Sequence, residues 1–132
     1  MCPLAQAEDE ISLFNRMGKP AAFIALDDEM TVYLLRGKPV AYLVADTDAA
    51  FNVYGFNGRH LGWYFREGIW DHSGHLACAS KDKHQKSEFE PFKSARQSKP
   101  FKTIIEFAPY RPKFSSAFSD TACNVLLASG AK

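Results

Sequence analysis

The chain has 132 residues, of which 46% are hydrophobic and 14% aromatic, so one domain with a packed core is expected. Residues 1–80 hold six basic and ten acidic residues, a net charge of −4, whereas residues 81–132 hold ten basic and five acidic residues, a net charge of +5. The two parts can attract each other within one fold, and no run of eighteen apolar residues is present, which excludes a membrane-spanning helix.

Residues 1–9 are expected to be a frayed lead-in, and the first ten residues lack the basic and apolar regions of a signal peptide. Four similar segments follow, each with a glycine at its centre. They cover residues 11–25, 31–45, 52–65 and 69–80, around Gly18, Gly37, Gly58 and Gly74. The regular placement of these glycines predicts four β-hairpins joined by loops of different lengths.

The four segments share further positions relative to the glycine. An aromatic residue stands four positions before it: Phe14, Tyr33, Tyr54 and Trp70. In the first three segments another stands five positions after it: Phe23, Tyr42 and Trp63. A basic or imidazole residue follows the glycine directly: Lys19, Lys38, Arg59 and His75. Asn57–Gly58 predicts a two-residue type I′ turn, because both positions of such a turn need a positive φ.

Eight short strands are marginal as separate hairpins, so the four hairpins must share one core. We therefore predict a mainly all-β domain over residues 11–80, arranged as a flower or shallow barrel around a pseudo-four-fold axis. The sequence FNGRHLGW (56–63), followed by residues 68–74, resembles the bacterial four-fold β-flower proteins. This resemblance implies a symmetric shallow barrel with an apolar interior and carries over no catalytic residue.

Residues 81–132 form the second predicted unit, a basic and proline-rich tail packed on the same domain. Its prolines disfavour helix, and its phenylalanines and isoleucines are too apolar for a free tail, so an extended strap around the barrel is expected. A short helix follows, with Ser119 as its cap, Asp120 in its first turn, a face containing Ala122, Val125, Leu126 and Ser129, and Gly130 at its end.

The candidate ligand site combines aromatic and basic residues of the four segments. Strands that converge on an axis leave a central hole unless large side chains fill it, and aromatic rings beside cations suit an amphipathic ligand with an acidic head. The candidates are Tyr33, Tyr42, Tyr54, Trp63, Trp70, Lys19, Lys38 and Arg59, and the basic residues are expected on one rim. The alternative for the aromatic residues is ordinary core packing.

Metal and enzyme sites are weaker alternatives. His60, His72 and His75 lie close in sequence and are competent metal ligands, although polar turn residues are the commoner explanation. An enzyme would use His60, His72, His75, Asp71 or Cys78, and at least three of these five side chains would have to converge. Cys78 occupies a small-residue position of the segments, which favours buried packing over a nucleophile.

Three cysteines, Cys2, Cys78 and Cys123, make an odd and widely spaced set, which predicts free thiols in a reducing, cytoplasmic setting. The predicted function is a non-enzymatic binding module without a cofactor, whose ligand is a hydrophobic or amphipathic small molecule. Alternatives are a scaffold for a protein partner, or nucleic-acid binding through the Lys-rich segment 81–102, for which a solvated basic face is the preferred explanation.

Overall fold

The computed structural model describes residues 10–47, 49–80, 95–115 and 117–131. Eight antiparallel strands follow one another in chain order and close into a barrel, because β1 also pairs with β8. The strands are β1 (Glu10–Phe14), β2 (Pro20–Ala25), β3 (Thr31–Leu34), β4 (Pro39–Ala45), β5 (Phe51–Gly55), β6 (His60–Phe65), β7 (Gly68–Trp70) and β8 (Leu76–Ser80). The predicted mainly all-β fold of four hairpins is confirmed.

The four glycine turns share one geometry. The N–H of Gly58 donates to the carbonyl of Gly55 over 3.0 Å, the N–H of Gly55 donates to the carbonyl of Arg59 over 2.9 Å, and only the glycine has a positive φ, of 90°. This is a type I turn closed by a glycine bulge, and the strand register shifts beside it. The predicted type I′ turn at Asn57–Gly58 is therefore wrong. Two consecutive positive φ values occur instead at Glu29 and Met30, between β2 and β3, and at Arg66 and Glu67, between β6 and β7.

The barrel interior is filled by aliphatic side chains. Alternate residues of a strand point to opposite faces, so an inward Val53 precedes an outward Tyr54. The same alternation places Leu13, Ile24, Val32, Leu43 and Ile69 in one buried cluster. Tyr33, Tyr42, Tyr54 and Trp70 belong to three smaller clusters apart from it. The predicted gathering of aromatic rings on the axis is thus corrected.

A short helix, α1 (Cys123–Ala128), covers one end of the barrel together with a 3₁₀ turn at Ser129–Ala131. Leu127 enters the interior cluster, and Gly130 lies against Gly55 so closely that neither position has room for a side chain. All four glycine turns lie at this end, named the turn mouth, because an up-and-down barrel returns to the same end after every second strand.

The helix starts three residues later than predicted. Ala122 occupies the N-cap without a side-chain hydrogen bond, and Ser119 is held elsewhere by a hydrogen bond to Asp71. A parallel bridge between Phe118 and Leu76 keeps the chain extended up to this point. The buried helix residues are consequently Cys123 and Leu127, and Val125, predicted on the packed face, is exposed.

A disulfide bond joins Cys78 of β8 to Cys123 of α1. Both residues are fully buried, and they lie 45 positions apart in the sequence. The prediction of free thiols is therefore wrong for this pair. Sequence spacing gave no indication of the bond, because the helix meets β8 only after the strap has passed around the barrel. Cys2 lies outside the described residues.

The described part of the tail, residues 95–115, is an extended strap along the outside of the barrel, as predicted. Arg96 pairs with Glu10 over 2.8 Å and with Asp27 over 3.2 Å. Lys99 pairs with Asp28 over 2.7 Å and with Glu29 over 3.0 Å, and Arg111 lies 4.0 Å from Asp46. The opposite charges of the two parts of the chain thus meet within one fold. No helix within the described residues is long and apolar enough to cross a membrane.

Candidate functional site

Three pockets of the described residues lie at the turn mouth beside α1, and two of them contain the basic residues that follow Gly18, Gly37 and Gly58. The residues that follow the four glycines belong to this end of the barrel, as the pattern predicted for Lys19, Lys38 and Arg59. Asn124 of α1 lines one pocket, while Leu126 lines the other. The helix therefore separates these two pockets from each other.

The first pocket, named the cationic pocket, has a volume of about 520 Å³. Its floor is apolar and its rim polar, and the described lining residues are Asn15, Lys19, Pro20, Ala21, Leu34, Leu35, Arg36, Lys38, Gln97 and Asn124. No carboxylate stands among these residues, and within the described ranges Lys19, Arg36 and Lys38 form no ion pair. The pocket is thus a positively charged cleft with an apolar base.

The second pocket, named the histidine pocket, has a volume of about 270 Å³ and includes Arg59, His60, Asp71 and His72. His60 Nε2 lies 2.9 Å from Asn52 Oδ1, and His60 Nδ1 lies 2.9 Å from His72 Nε2. Because an amide oxygen only accepts, His60 carries its proton on Nε2 and accepts at Nδ1 from the His72 N–H. Burial, and then the neighbouring His72, lower the pKa of His60 to about 4.

The predicted metal ligands are only partly brought together. The side chains of His60 and His72 form a hydrogen bond with each other, and His75 does not line their pocket. Across the described ranges, no three His, Cys, Asp or Glu side chains are arranged to hold a metal ion. Cys78 is bonded to Cys123 and offers no thiol, and Asp71 is occupied by hydrogen bonds to Ser119 and to the backbone of its own turn. This geometry gives a metal or nucleophilic site no support.

The predicted aromatic ligands lie on the outer face of the barrel. Neighbouring hairpins place each of them beside another ring. The centroid of Tyr33 lies 5.4 Å from that of Phe23, which was not a predicted ligand; those of Tyr42 and Tyr54 are 6.5 Å apart, and Trp63 opposes Trp70. The strap covers all three pairs. Arg96 lies over Phe23 and Tyr33, Lys102 over Tyr42, and Phe114 stacks on Trp70 with centroids 5.0 Å apart. These rings therefore form the surface on which the strap packs.

Arg36, Gln97 and Asn124 belong to the cationic pocket and were missed from the sequence. A signal for the strap was present: Pro100-Phe101-Lys102 recurs nine residues later as Pro109-Tyr110-Arg111. The same step appears in the backbone contacts. The N–H groups of residues 97, 106 and 115 donate to the carbonyls of Gly37, Gly58 and Gly74 over 2.8, 3.0 and 2.8 Å. Nine strap residues thus correspond to one hairpin.

The fold and its strap agree with the comparison of the chain with protein families. The model of the 4-fold beta flower protein family matches residues 11–127, which include all eight strands except the first residue, the strap and nearly all of α1. The chain belongs to this family. Comparisons with curated proteins and with solved structures gave no match. Membership of the β-flower family accounts for the fold and the tail, and the function has to be argued from the site.

Proposed function

We propose that this β-flower protein is a non-enzymatic binding module that holds a small amphipathic anion in the cationic pocket. The observation that carries the proposal is the placement of three cationic side chains, Lys19, Arg36 and Lys38, around an apolar floor. Unpaired cations in a cleft raise the local concentration of an anionic ligand. A carboxylate or phosphate head would meet the rim, and its apolar part would cover Leu34 and Leu35.

The four-hairpin pattern supports a binding site at this rim rather than at the barrel axis. As repeats of one unit, the hairpins would present a cation after each glycine, and Lys19 and Lys38 are the two that share a pocket. Gln97 adds a strap residue to the same rim, and its amide nitrogen lies 3.4 Å from the carbonyl of Arg36. The binding site therefore combines two hairpins, the strap and α1, rather than a central aromatic concavity.

The test is a calorimetric titration with three probes: dodecanoate, dodecanol and inorganic phosphate. Dodecanoate should bind most tightly, because it alone supplies both an anionic head and an apolar chain. Lys38→Gln should weaken dodecanoate binding about tenfold, since a charge-assisted contact contributes about 1.5 kcal/mol or more. Arg59→Gln is the matched control, because Arg59 occupies the same position of the third hairpin but lines the histidine pocket.

Equal affinity of Lys38→Gln and the unchanged protein would refute the assignment of the pocket. Failure of all three probes to bind at millimolar concentration would refute the amphipathic anion as the ligand class. Mass spectrometry of an organic extract of the purified protein adds an independent measurement: a recurrent anionic molecule, lost in the Lys38→Gln variant, is the expected result.

Nucleic-acid binding through residues 81–102 receives less support. Residues 81–94 lie outside the described part of the chain. Of the described cations in this segment, Arg96 and Lys99 pair with carboxylates of the barrel, and Lys102 lies over Tyr42. These contacts occupy groups that phosphates would need, so this alternative stays a prediction without a favouring contact.

The compartment is also a matter for proposal. Disulfide bonds persist mainly in oxidising compartments, and the bond between Cys78 and Cys123 is fully buried. This favours an oxidising setting over the cytoplasm that the cysteine spacing suggested. Thiol titration of protein isolated from its native source under non-reducing conditions tests it: an intact disulfide is expected, and complete reduction would restore the cytoplasmic prediction.

A further inference from the structure

Four large apolar side chains on the strap point into solvent. The exposed fractions are 99% for Phe101, 93% for Ile104, 100% for Phe107 and 100% for Tyr110. These four residues, named the apolar row, stand three positions apart. Single exposed apolar residues are ordinary, but four within ten residues mark an interaction surface.

The segment that carries the apolar row is held to the barrel. The N–H of Thr103 donates to the carbonyl of Phe56 over 2.9 Å, and the N–H of Glu106 donates to that of Gly58 over 3.0 Å. The Glu106 carbonyl accepts a hydrogen bond from the Tyr54 hydroxyl over 2.8 Å. Three positions therefore separate the inward backbone bonds as well as the outward side chains.

A spacing of three is typical of an extended helix with three residues per turn, which places every third side chain on one face. At about 3.1 Å of rise per residue, neighbouring members of the apolar row would lie about 9 Å apart and the whole row would be about 28 Å long. The strap thus presents a long line of apolar groups that is one side chain wide.

The charged side chains beside the apolar row favour an anionic partner. Glu106 is the only acidic residue between positions 101 and 115, and its carboxylate turns inward to accept a hydrogen bond from the backbone N–H of His60 over 2.6 Å. Lys113 is exposed, whereas the ammonium of Lys102 lies over the Tyr42 ring. The outward side of this segment consequently combines apolar groups with the Lys113 cation, and anionic lipid headgroups attract such a combination.

We propose that the apolar row inserts into the interfacial region of a membrane that contains anionic lipids. A stable protein interface buries about 800 Å² on each partner, and a line one side chain wide is too narrow to provide that area as a well-packed patch. Separate aromatic side chains need no complementary surface to enter a headgroup layer, where aromatic residues are favoured. The surface is distinct from the cationic pocket and does not depend on the ligand proposed there.

Vesicle flotation tests this proposal with two lipid compositions: phosphatidylcholine alone, and phosphatidylcholine with 30 mol % phosphatidylglycerol. The unchanged protein should float with the anionic vesicles and much less with the neutral ones. The double variant Phe101→Ser, Phe107→Ser should lower the partition coefficient at least tenfold. Val125→Ser is the matched control, because Val125 is 58% exposed on α1 and lies outside the row.

A second readout keeps the test independent of any change in folding. Trp63 and Trp70 are buried, so Phe107→Trp introduces a fluorophore whose emission should shift to the blue when anionic vesicles are added. Failure of the unchanged protein to float with anionic vesicles would overturn the proposal. So would equal flotation of the double variant, dimerisation in solution that the double variant abolishes, or binding of a single-stranded oligonucleotide without binding of vesicles.

Discussion

Reduction of the disulfide between Cys78 and Cys123 is the perturbation with the largest expected effect on stability. The bond joins β8 to the first residue of α1 and closes a loop that contains the whole strap. Without it, noncovalent contacts hold the helix that covers the turn mouth, among them the packing of Leu127 and Gly130 and the hydrogen bonds from Asn57 to the Ser129 and Gly130 carbonyls. Alanine should fit at position 78, because the equivalent positions of the first two hairpins are Ala22 and Ala41.

The magnitude follows from the length of the closed loop. For residues 45 positions apart, the loss of loop entropy in the unfolded chain stabilises the folded state by about 4 kcal/mol at 25 °C. For a chain of 132 residues, this corresponds to a decrease of about 15 °C in Tm on reduction. Since a domain of this size has a total stability of about 5–15 kcal/mol, the bond accounts for a large share of it.

Thermal unfolding followed by circular dichroism, with and without dithiothreitol, measures this effect on an unchanged sequence. The variant Cys78→Ala, Cys123→Ala should melt near the reduced protein and should not respond to dithiothreitol. In denaturant without reductant, one of the three cysteines should react with a thiol reagent. Three reactive thiols, or equal Tm values with and without reductant, would refute the reasoning.

Two further predictions concern His60 and Gly58. The pKa of His60 is lowered to about 4 by burial and by His72, so the folded state binds fewer protons than the unfolded state between pH 4 and 6.5. This difference contributes at most about 3 kcal/mol to the free energy of unfolding. The contribution is present above pH 6.5 and is lost as the pH falls towards 4. Urea titrations at several pH values in this range should show a smaller change of the free energy of unfolding with pH for His60→Gln than for His75→Gln. Equal changes in the two variants would contradict the prediction. Gly58→Ala should destabilise by about 2–4 kcal/mol, since φ is 90° and the new methyl group would meet the Ile104 carbonyl; a urea midpoint unchanged from wild type would contradict it.

Much of the fold could be predicted from the sequence, because each turn glycine meets a local backbone requirement. A positive φ at Gly18, Gly37, Gly58 and Gly74 is needed by each turn whatever lies around it, and the strands on both sides follow from the turn. The exact turn type was not available, because Asn57–Gly58 suits more than one turn. The bulge was chosen by the strand register, which is a property of the paired strands rather than of the dipeptide.

The sequence did not predict on which face of the sheet the aromatic residues lie. The sequence places Val53 and Tyr54 side by side and predicts that they face opposite ways, but it does not state which face is interior. Strands that converge on an axis leave a central hole for large side chains, and that expectation suggested rings on the axis. Here both faces are covered, one by the closed barrel and one by the strap, so Val53 packs inside and Tyr54 packs under the strap.

The candidate site could be predicted in its hairpin residues and not in the rest. Lys19 and Lys38 follow equivalent glycines, and that equivalence places them at the same end of the barrel. Four-fold equivalence alone would give four similar sites. The helix breaks it: Asn124 completes a pocket with Lys19 and Lys38, whereas Leu126 and Ser129 complete another with Arg59 and His72. The difference between the two pockets therefore depends on α1, which has no counterpart in the other described hairpins, and α1 is joined to β8 by a bond between cysteines whose sequence spacing gave no reason to pair them.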